Sequence, residues 1–425
     1  MISVTCCYEM TCLGEEEKPM AHEMRAPVTR DAVAKFVVAI ILLVPRIALS
    51  QNLAPLSIAR EGYVYAGGKY STVNGRQVMS GQLYAEYQIP TLLLHPYPVV
   101  MVPGAGSSGA IFMGTPDGRE GWAQYFLRQG YAVYVIDQPG RGRAAYVSEV
   151  YGPLSPLEGP EGVQQRITRT EDYNLWPQAR LHTQWPGAGK PGDSTFDALM
   201  AARLPVISDF TLAQILNRDA IIALLTKIGP AILLTHSQSG AFGWPVADAR
   251  PDLVKAIVAV EPSGPPFYDI QLVGAPEWFR YRATLARPWG INSDPLAYSP
   301  PAQNASDLQI VEEDGPDSPE HCRCWLQKSP ARQLPNLKEI PILLVTSEAS
   351  YHAAYDHCTV KFLEQAGLHP TWIKLPEIGI HGNGHAMMIE KNNMEIGTAL
   401  SQWLAKTQGV TLSPGELTGK VAAST

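Results

Sequence analysis

The sequence predicts an α/β fold: a mostly parallel central sheet with helices on both faces and two cap insertions. Three observations carry this expectation. Short, uninterrupted apolar runs recur along the chain, helical patterns fall between them, and two long stretches rich in Pro, Gly and Trp show neither period. Apolar runs of four to eight residues suit parallel strands buried on both faces, and strands alternating with helices imply a parallel sheet.

In chain order, Glu61–Ala66 (EGYVYA) and Gly81–Tyr87 (GQLYAEY) alternate apolar and polar residues, as half-exposed antiparallel strands do. The continuous runs follow at Val99–Val102, Ala132–Ile136, Ala231–Leu234, Ala256–Val260, Ile342–Val345 and Thr371–Leu375. Helical patterns occupy Gly121–Arg128, Thr211–Lys227, Ala241–Ala249, Ala353–Ala366 and Met387–Thr407. The stretches at about 143–205 and 262–341 are too long for structureless loops in a compact domain unless they cover a site, so they are expected to be caps. The expected organisation is an N-terminal extension over 1–50 and one catalytic domain over 51–425.

Nine apolar residues, Phe36–Val44, lack any charge. A membrane-spanning helix needs about 20, so stable membrane insertion is not expected. The length suits a signal-peptide core. Arg25, Arg30 and Lys35 precede it, and Ala48-Leu49-Ser50 offers a small-residue cleavage site before Gln51. Glu15-Glu16-Glu17 spoils the first 23 residues as a signal start, and Met24 is the better beginning. A secreted product is expected, and the sequon Asn304-Ala305-Ser306 agrees with a glycoprotein.

Composition excludes two classes. Hydrophobic residues make up 45% of the 425 residues, which is not the profile of a disordered chain. Net charge is −7 with no Lys/Arg block, so nucleic acid is not an expected partner. Beyond the extension the cysteines are Cys322, Cys324 and Cys358. Their spacing is poor for zinc, and a disulfide from Cys358 to one of the other two is the better reading.

The chemistry concentrates at Thr235-His236-Ser237-Gln238-Ser239-Gly240, where a buried strand runs through small residues into a helix. That is the context of a nucleophile elbow, with Ser237 on the sharp turn. The usual Gly-x-Ser-x-Gly has Thr235 and Ser239 in place of its glycines. Ser239 is a weaker candidate, and a helix-capping role for the serine is the bland alternative. A serine hydroxyl needs a base, expected after the last strand, where His381 and His385 lie in Ile380-His-Gly-Asn-Gly-His385. His385, behind the flexible Gly-Asn-Gly, is preferred. The acid that orients it is read as Glu261 or Glu348, each at the end of a buried strand, with Asp356 a further candidate.

Oxyanion donors are expected from the backbone N–H of Gln238 and of Ala105 or Gly106, in Pro103-Gly-Ala-Gly-Ser-Ser-Gly109. Gly104, Gly106 and Gly109 also match a dinucleotide fingerprint formally. No acidic residue stands at a strand end about 20 positions on, so a nucleotide cofactor is not expected.

Taken together, Pro103–Gly109 with Thr115-Pro-Asp-Gly-Arg-Glu-Gly-Trp122, Asp137-Gln-Pro-Gly-Arg-Gly-Arg143, Leu181-His-Thr-Gln-Trp-Pro-Gly187, His236-Ser-Gln238 and Gly382-Asn-Gly-His-Ala-Met-Met388 resemble the α/β-hydrolase superfamily. The similarity is to its secreted bacterial and fungal serine esterases, and it spans about residues 60–407. The resemblance implies an ester hydrolase whose triad acid follows the strand after the nucleophile helix, which selects Glu261 over Glu348. It implies a small-molecule ester or lactone as substrate and no metal or organic cofactor. The same triad would serve a biosynthetic acyl transfer, cyclisation or release step on a natural product, and a catalytically dead binding module is the third reading.

Overall fold

Eight strands pair into one twisted sheet, seen in a computed structural model that describes residues 54–409. The signal-like run and its cleavage site lie outside the described residues. The described residues from Leu56 on form one compact unit.

The sheet begins with a long antiparallel hairpin, β1 (Ile58–Val73) and β2 (Arg76–Pro90). The two alternating segments recognised in the sequence are only its middle. Asn74 and Gly75 close it with φ of 50° and 76°, the left-handed pair that matches the twist of the flanking strands. The remaining strands are β3 (Val99–Val102), β4 (Val133–Asp137), β5 (Ala231–His236), β6 (Val254–Val260), β11 (Ile342–Thr346) and β12 (Thr371–Lys374). The spatial order is β1-β2-β4-β3-β5-β6-β11-β12, parallel from β4 to β12. The mostly parallel α/β expectation therefore holds.

Alternation along the buried strands sends successive side chains to opposite faces, and two apolar layers result. On one face Val100, Val102, Leu233, Ile257 and Ala259 pack under α3 (Phe210–Ile228), α4 (Gly240–Ala249) and α5 (Asp356–Gln365). On the other, Val99, Met101, Leu234, Val258 and Val345 pack under α1 (Trp122–Arg128), α2 (Ser194–Ala201) and α6 (Asn393–Thr407). Asp209 caps α3 by accepting from the Leu212 amide at 2.9 Å.

Two expected helices are shorter than their apolar pattern. Tyr355, at φ −144° and ψ −7°, interrupts the run from Ala353, so α5 starts at Asp356. The C-terminal helix starts at Asn393, because Glu390 is drawn into an extended conformation by buried hydrogen bonds described below. Outside the sheet, residues 143–205 hold short helical turns and α2. Residues 262–341 hold a second hairpin, β7 (Phe267–Gly274) with β8 (Trp278–Arg287), and a small pair, β9 (Ile310–Glu312) with β10 (Trp325–Gln327). Cys324 beside β10 is bonded to Cys358 of α5, and Cys322 is a buried free thiol.

Candidate active site

Strand β5 ends at His236 and the chain turns at Ser237 with φ 55°, a left-handed conformation that costs a non-glycine residue about 1–3 kcal/mol. Surrounding packing holds this turn. A Cβ on Gly240 would sit 2.3 Å from Pro262 Cβ, so helix α4 can begin hard against the end of β6 only because that position is glycine. The two departures from Gly-x-Ser-x-Gly are also accounted for. Ser239 is fully buried, and its hydroxyl donates to the Val102 carbonyl at 2.7 Å while accepting from the His236 amide at 2.8 Å. Its single proton is committed to structure. Thr235 is fully buried too, and its methyl group faces Gly243 of α4, where a Cβ would lie 3.1 Å away. The volume gained on the strand is lost on the helix.

His385 lies in the loop after β12. Its Nδ1 donates to Glu261 Oε2 at 2.6 Å. The carboxylate is acceptor only, so this bond fixes the neutral tautomer whose Nε2 lone pair is free to take a proton. Glu261, fully buried at the end of β6, also accepts from the Ser347 amide at 2.8 Å, the Ser347 hydroxyl at 2.6 Å and the Ser350 hydroxyl at 2.7 Å. Such a donor set is what a buried carboxylate requires. Glu348 goes elsewhere: it accepts from His381 Nδ1 at 3.0 Å and the Gly382 amide at 2.8 Å, with the His381 side chain 61% exposed. The two sequence alternatives thus pair with each other at the rim of the loop.

Three rings pack on His385. His236 lies 4.5 Å away between centroids, Tyr351 4.7 Å, and His352 4.8 Å with planes only 2° apart. The Tyr351 hydroxyl also interacts with the Ser237 side chain, so this ring spans Ser237 and the His385 imidazole. Asp356, the further acid candidate, accepts from His352 Nδ1 at 2.9 Å and from Thr346 Oγ1 at 2.7 Å, which makes a second buried acid–imidazole pair behind the first. Burial, then the neighbouring His352 and the charges of Arg166 and Arg203, hold His385 well below the usual imidazole range. At neutral pH the imidazole is unprotonated. Glu261, His352 and His385 place donor atoms within 4.8 Å of one another, but His352 spends both nitrogens, on Asp356 and on the Tyr355 hydroxyl at 2.9 Å, which does not suit a metal centre.

The loop Pro103–Gly109 follows β3. A Cβ on Gly104 would meet both His236 Nδ1 and Ser237 Cβ at 3.0 Å, so the loop passes directly over the elbow. Arg141, which sequence reading left without a role, braces it: Nη1 donates to the carbonyls of Gly104 at 2.9 Å and Ser107 at 3.4 Å, and Nη2 to Gln238 Oε1 at 3.1 Å. In a trans peptide the N–H is antiparallel to its C=O. Holding the Gly104 carbonyl therefore turns the Ala105 N–H the opposite way. Asp137 anchors the far end, accepting from the Gly109 amide at 2.8 Å. A pocket of about 330 Å³ opens beside this loop, walled by Ser107, Ile111, Leu199, Arg203 and Ile389. The triad candidates are not among its lining.

A sheet of this order with a serine elbow after β5 and a histidine loop after the last strand defines an α/β hydrolase. The chain belongs to the alpha/beta hydrolase family, whose family model matches residues 99–394, and it is a hydrolase. It is 44% identical over 346 residues, 81% of this chain and 89% of the relative, to the "probable secreted lipase phiG" of a fungal species, strain ATCC 74256. Among solved structures it is similar to a bacterial esterase at a TM-score of 0.55 and 24% identity, covering 84% of this chain and 98% of the other.

Proposed function

We propose that the protein is a secreted serine hydrolase of carboxylic esters or lactones, with Ser237 as nucleophile, His385 as base and Glu261 as the orienting acid. One observation carries this reading: a left-handed serine at the strand–helix elbow shares its site with an imidazole bonded to a fully satisfied, fully buried carboxylate. His385 Nε2 takes the Ser237 proton as Oγ adds to the ester carbonyl, and Glu261 stabilises the imidazolium that forms. The oxyanion falls to the N–H groups of Gln238 and Ala105, the latter favoured over Gly106 by the grip of Arg141 on the Gly104 carbonyl. Collapse releases the alcohol with the proton from His385, and water repeats the sequence on the acyl-enzyme. Residues 143–205 and 262–341 act as caps. The relative's name supports export and an ester-bond substrate, and Asn304 is exposed, as a glycosylated residue must be.

Labelling tests this directly. Wild-type protein is expected to react with a fluorophosphonate probe and to hydrolyse simple esters. Ser237→Ala should fold with an unchanged Tm, lose the label and lower kcat by ~10⁴ or more. Retained labelling would remove Ser237 from the role.

A further inference from the structure

Arg203 lies against the Gly104–Gly106 loop and shares a single carboxylate with Arg166, too little negative charge to balance the pair. Gly106 has φ 69°, and a Cβ there would lie 2.5–2.8 Å from Arg203 Cζ, Nη2 and Nη1 together, so the guanidinium lies flat on the loop. The Leu204 amide donates to the Gly106 carbonyl at 3.0 Å and fixes this approach. Arg203 Nη2 meets Glu158 Oε2 at 2.7 Å, while Arg166 Nε meets Oε1 of the same carboxylate at 3.1 Å. Among the described residues neither arginine pairs with another acid. Two fixed cations therefore share one anion, leaving one net positive charge. Arg203, with its side chain only 12% exposed, forms part of the apolar pocket beside the loop, and Arg166 is open to solvent. Both charges reach the reaction centre, where they help depress His385. Tying residues 158–204 to the loop would need one arginine and one glutamate. The desolvated Arg203 needs its share of Glu158, and the carboxylate divided between two guanidiniums leaves part of that need open to a second anion.

We infer that the preferred substrate is an ester that carries a free carboxylate, held by Arg166 and Arg203 while its scissile carbonyl sits on the Gly104–Gly106 loop. This rests on the serine-hydrolase reading. A guanidinium fork matches a planar carboxylate with two parallel hydrogen bonds. The surplus of one charge fits a monoanion better than a phosphate monoester, which carries about −1.5 to −2. Hydrolysis adds one water across the ester and releases an alcohol and an acid, one of which keeps the original carboxylate.

The experiment compares kcat/KM for three esters of similar size on the full chain: 4-nitrophenyl butyrate, 4-nitrophenyl hydrogen glutarate with its charge on the acyl side, and 4-carboxyphenyl butyrate with its charge on the alcohol side. One charged ester is expected to exceed the neutral one by ~10-fold or more at low salt, the size of a charged hydrogen bond. That advantage should shrink as ionic strength rises. Arg166→Gln should lower the charged-to-neutral ratio and Glu158→Gln should raise it. A structural tie would not shift the ratio in opposite directions. Preference for the neutral ester, or a ratio indifferent to both substitutions, overturns the inference and leaves the nucleophile assignment standing. Turnover of none of the three, together with no fluorophosphonate label on Ser237, sinks the serine-hydrolase reading and this inference with it.

Discussion

Glu261 and Glu348 stand at the ends of neighbouring strands, and their different partners imply different effects on turnover. Glu261 holds His385 Nδ1, whereas Glu348 holds the exposed His381 and one loop amide. In the proposed triad, Glu261→Gln keeps the shape and removes the charge that would stabilise the imidazolium, so the effect should fall on kcat. A loss of ~10²–10⁴ is expected, about 3–5.5 kcal/mol at 1.36 kcal/mol per tenfold. Glu348→Gln should cost less than about tenfold, as for a partly exposed pair. Steady-state kinetics of the two variants decides, and a reversal of their effects would move the acid to Glu348. The pH profile reads the same site independently. The base must be unprotonated, so kcat/KM falls as pH drops through the His385 pKa. Because burial, His352 and the two arginines depress that pKa, the acidic limb should bend below pH 6.5, the ordinary imidazole value.

At the scale of elements, the elbow depends on a trade between strand β5 and helix α4. Glycine inside a helix costs about 1 kcal/mol relative to alanine, but at Gly243 a Cβ would press at 3.1 Å on the methyl group of fully buried Thr235. Gly243→Ala alone should therefore lower Tm, whereas in a Thr235→Ser background the same change should raise it. A thermal-melt double-mutant cycle checks the sign of the coupling; additive effects would show that the contact is not what requires glycine. The same elbow shows what a sequence exposes. Buried parallel strands are continuous apolar runs, and Ser237 and Glu261 directly follow such runs, whereas His385 was marked by the Gly-Asn-Gly loop before it. The Thr235–Gly243 match was not, since it appears only when helix and strand pack. Ser347, Ser350, Arg141 and the His352–Asp356 pair act through partners mostly far along the chain or through stacked rings, and no local spacing marks them. The hairpin β7–β8 escaped notice because bulges break its register and with it the period of two.

For the whole molecule, the histidine loop is tied to the 143–205 segment by an ionic network that is buried at His182 and Glu390 and open to solvent at Glu171. His182 Nε2 donates to Glu390 Oε1 at 2.8 Å and Nδ1 to Glu171 Oε2 at 3.2 Å, so both ring nitrogens face acceptors. Glu390, fully buried, also accepts from Asn383 Nδ2 at 2.8 Å and the Gly384 amide at 3.0 Å, one residue before His385. Burial opposes the charged imidazole, but the two carboxylates together outweigh it and lift His182 to about 9. A folded pKa above the unfolded value of about 6.5 gives stability that is complete below pH 6.5 and is lost as pH rises through 9. The linkage is worth on the order of 3 kcal/mol at most. Above the folded pKa, one nitrogen loses its proton and turns a lone pair toward a carboxylate, and Glu390 is left buried beside a neutral ring. Tm should hold steady on the acidic side of this window and fall across it. His182→Gln keeps a hydrogen-bonding side chain without a titrating charge. It should melt lower at neutral pH and show a flatter Tm between pH 7 and 9.5. If that variant loses Tm across the window as steeply as the wild type, another group carries the alkaline instability and His182 is not the ionic tie between the segment and the loop.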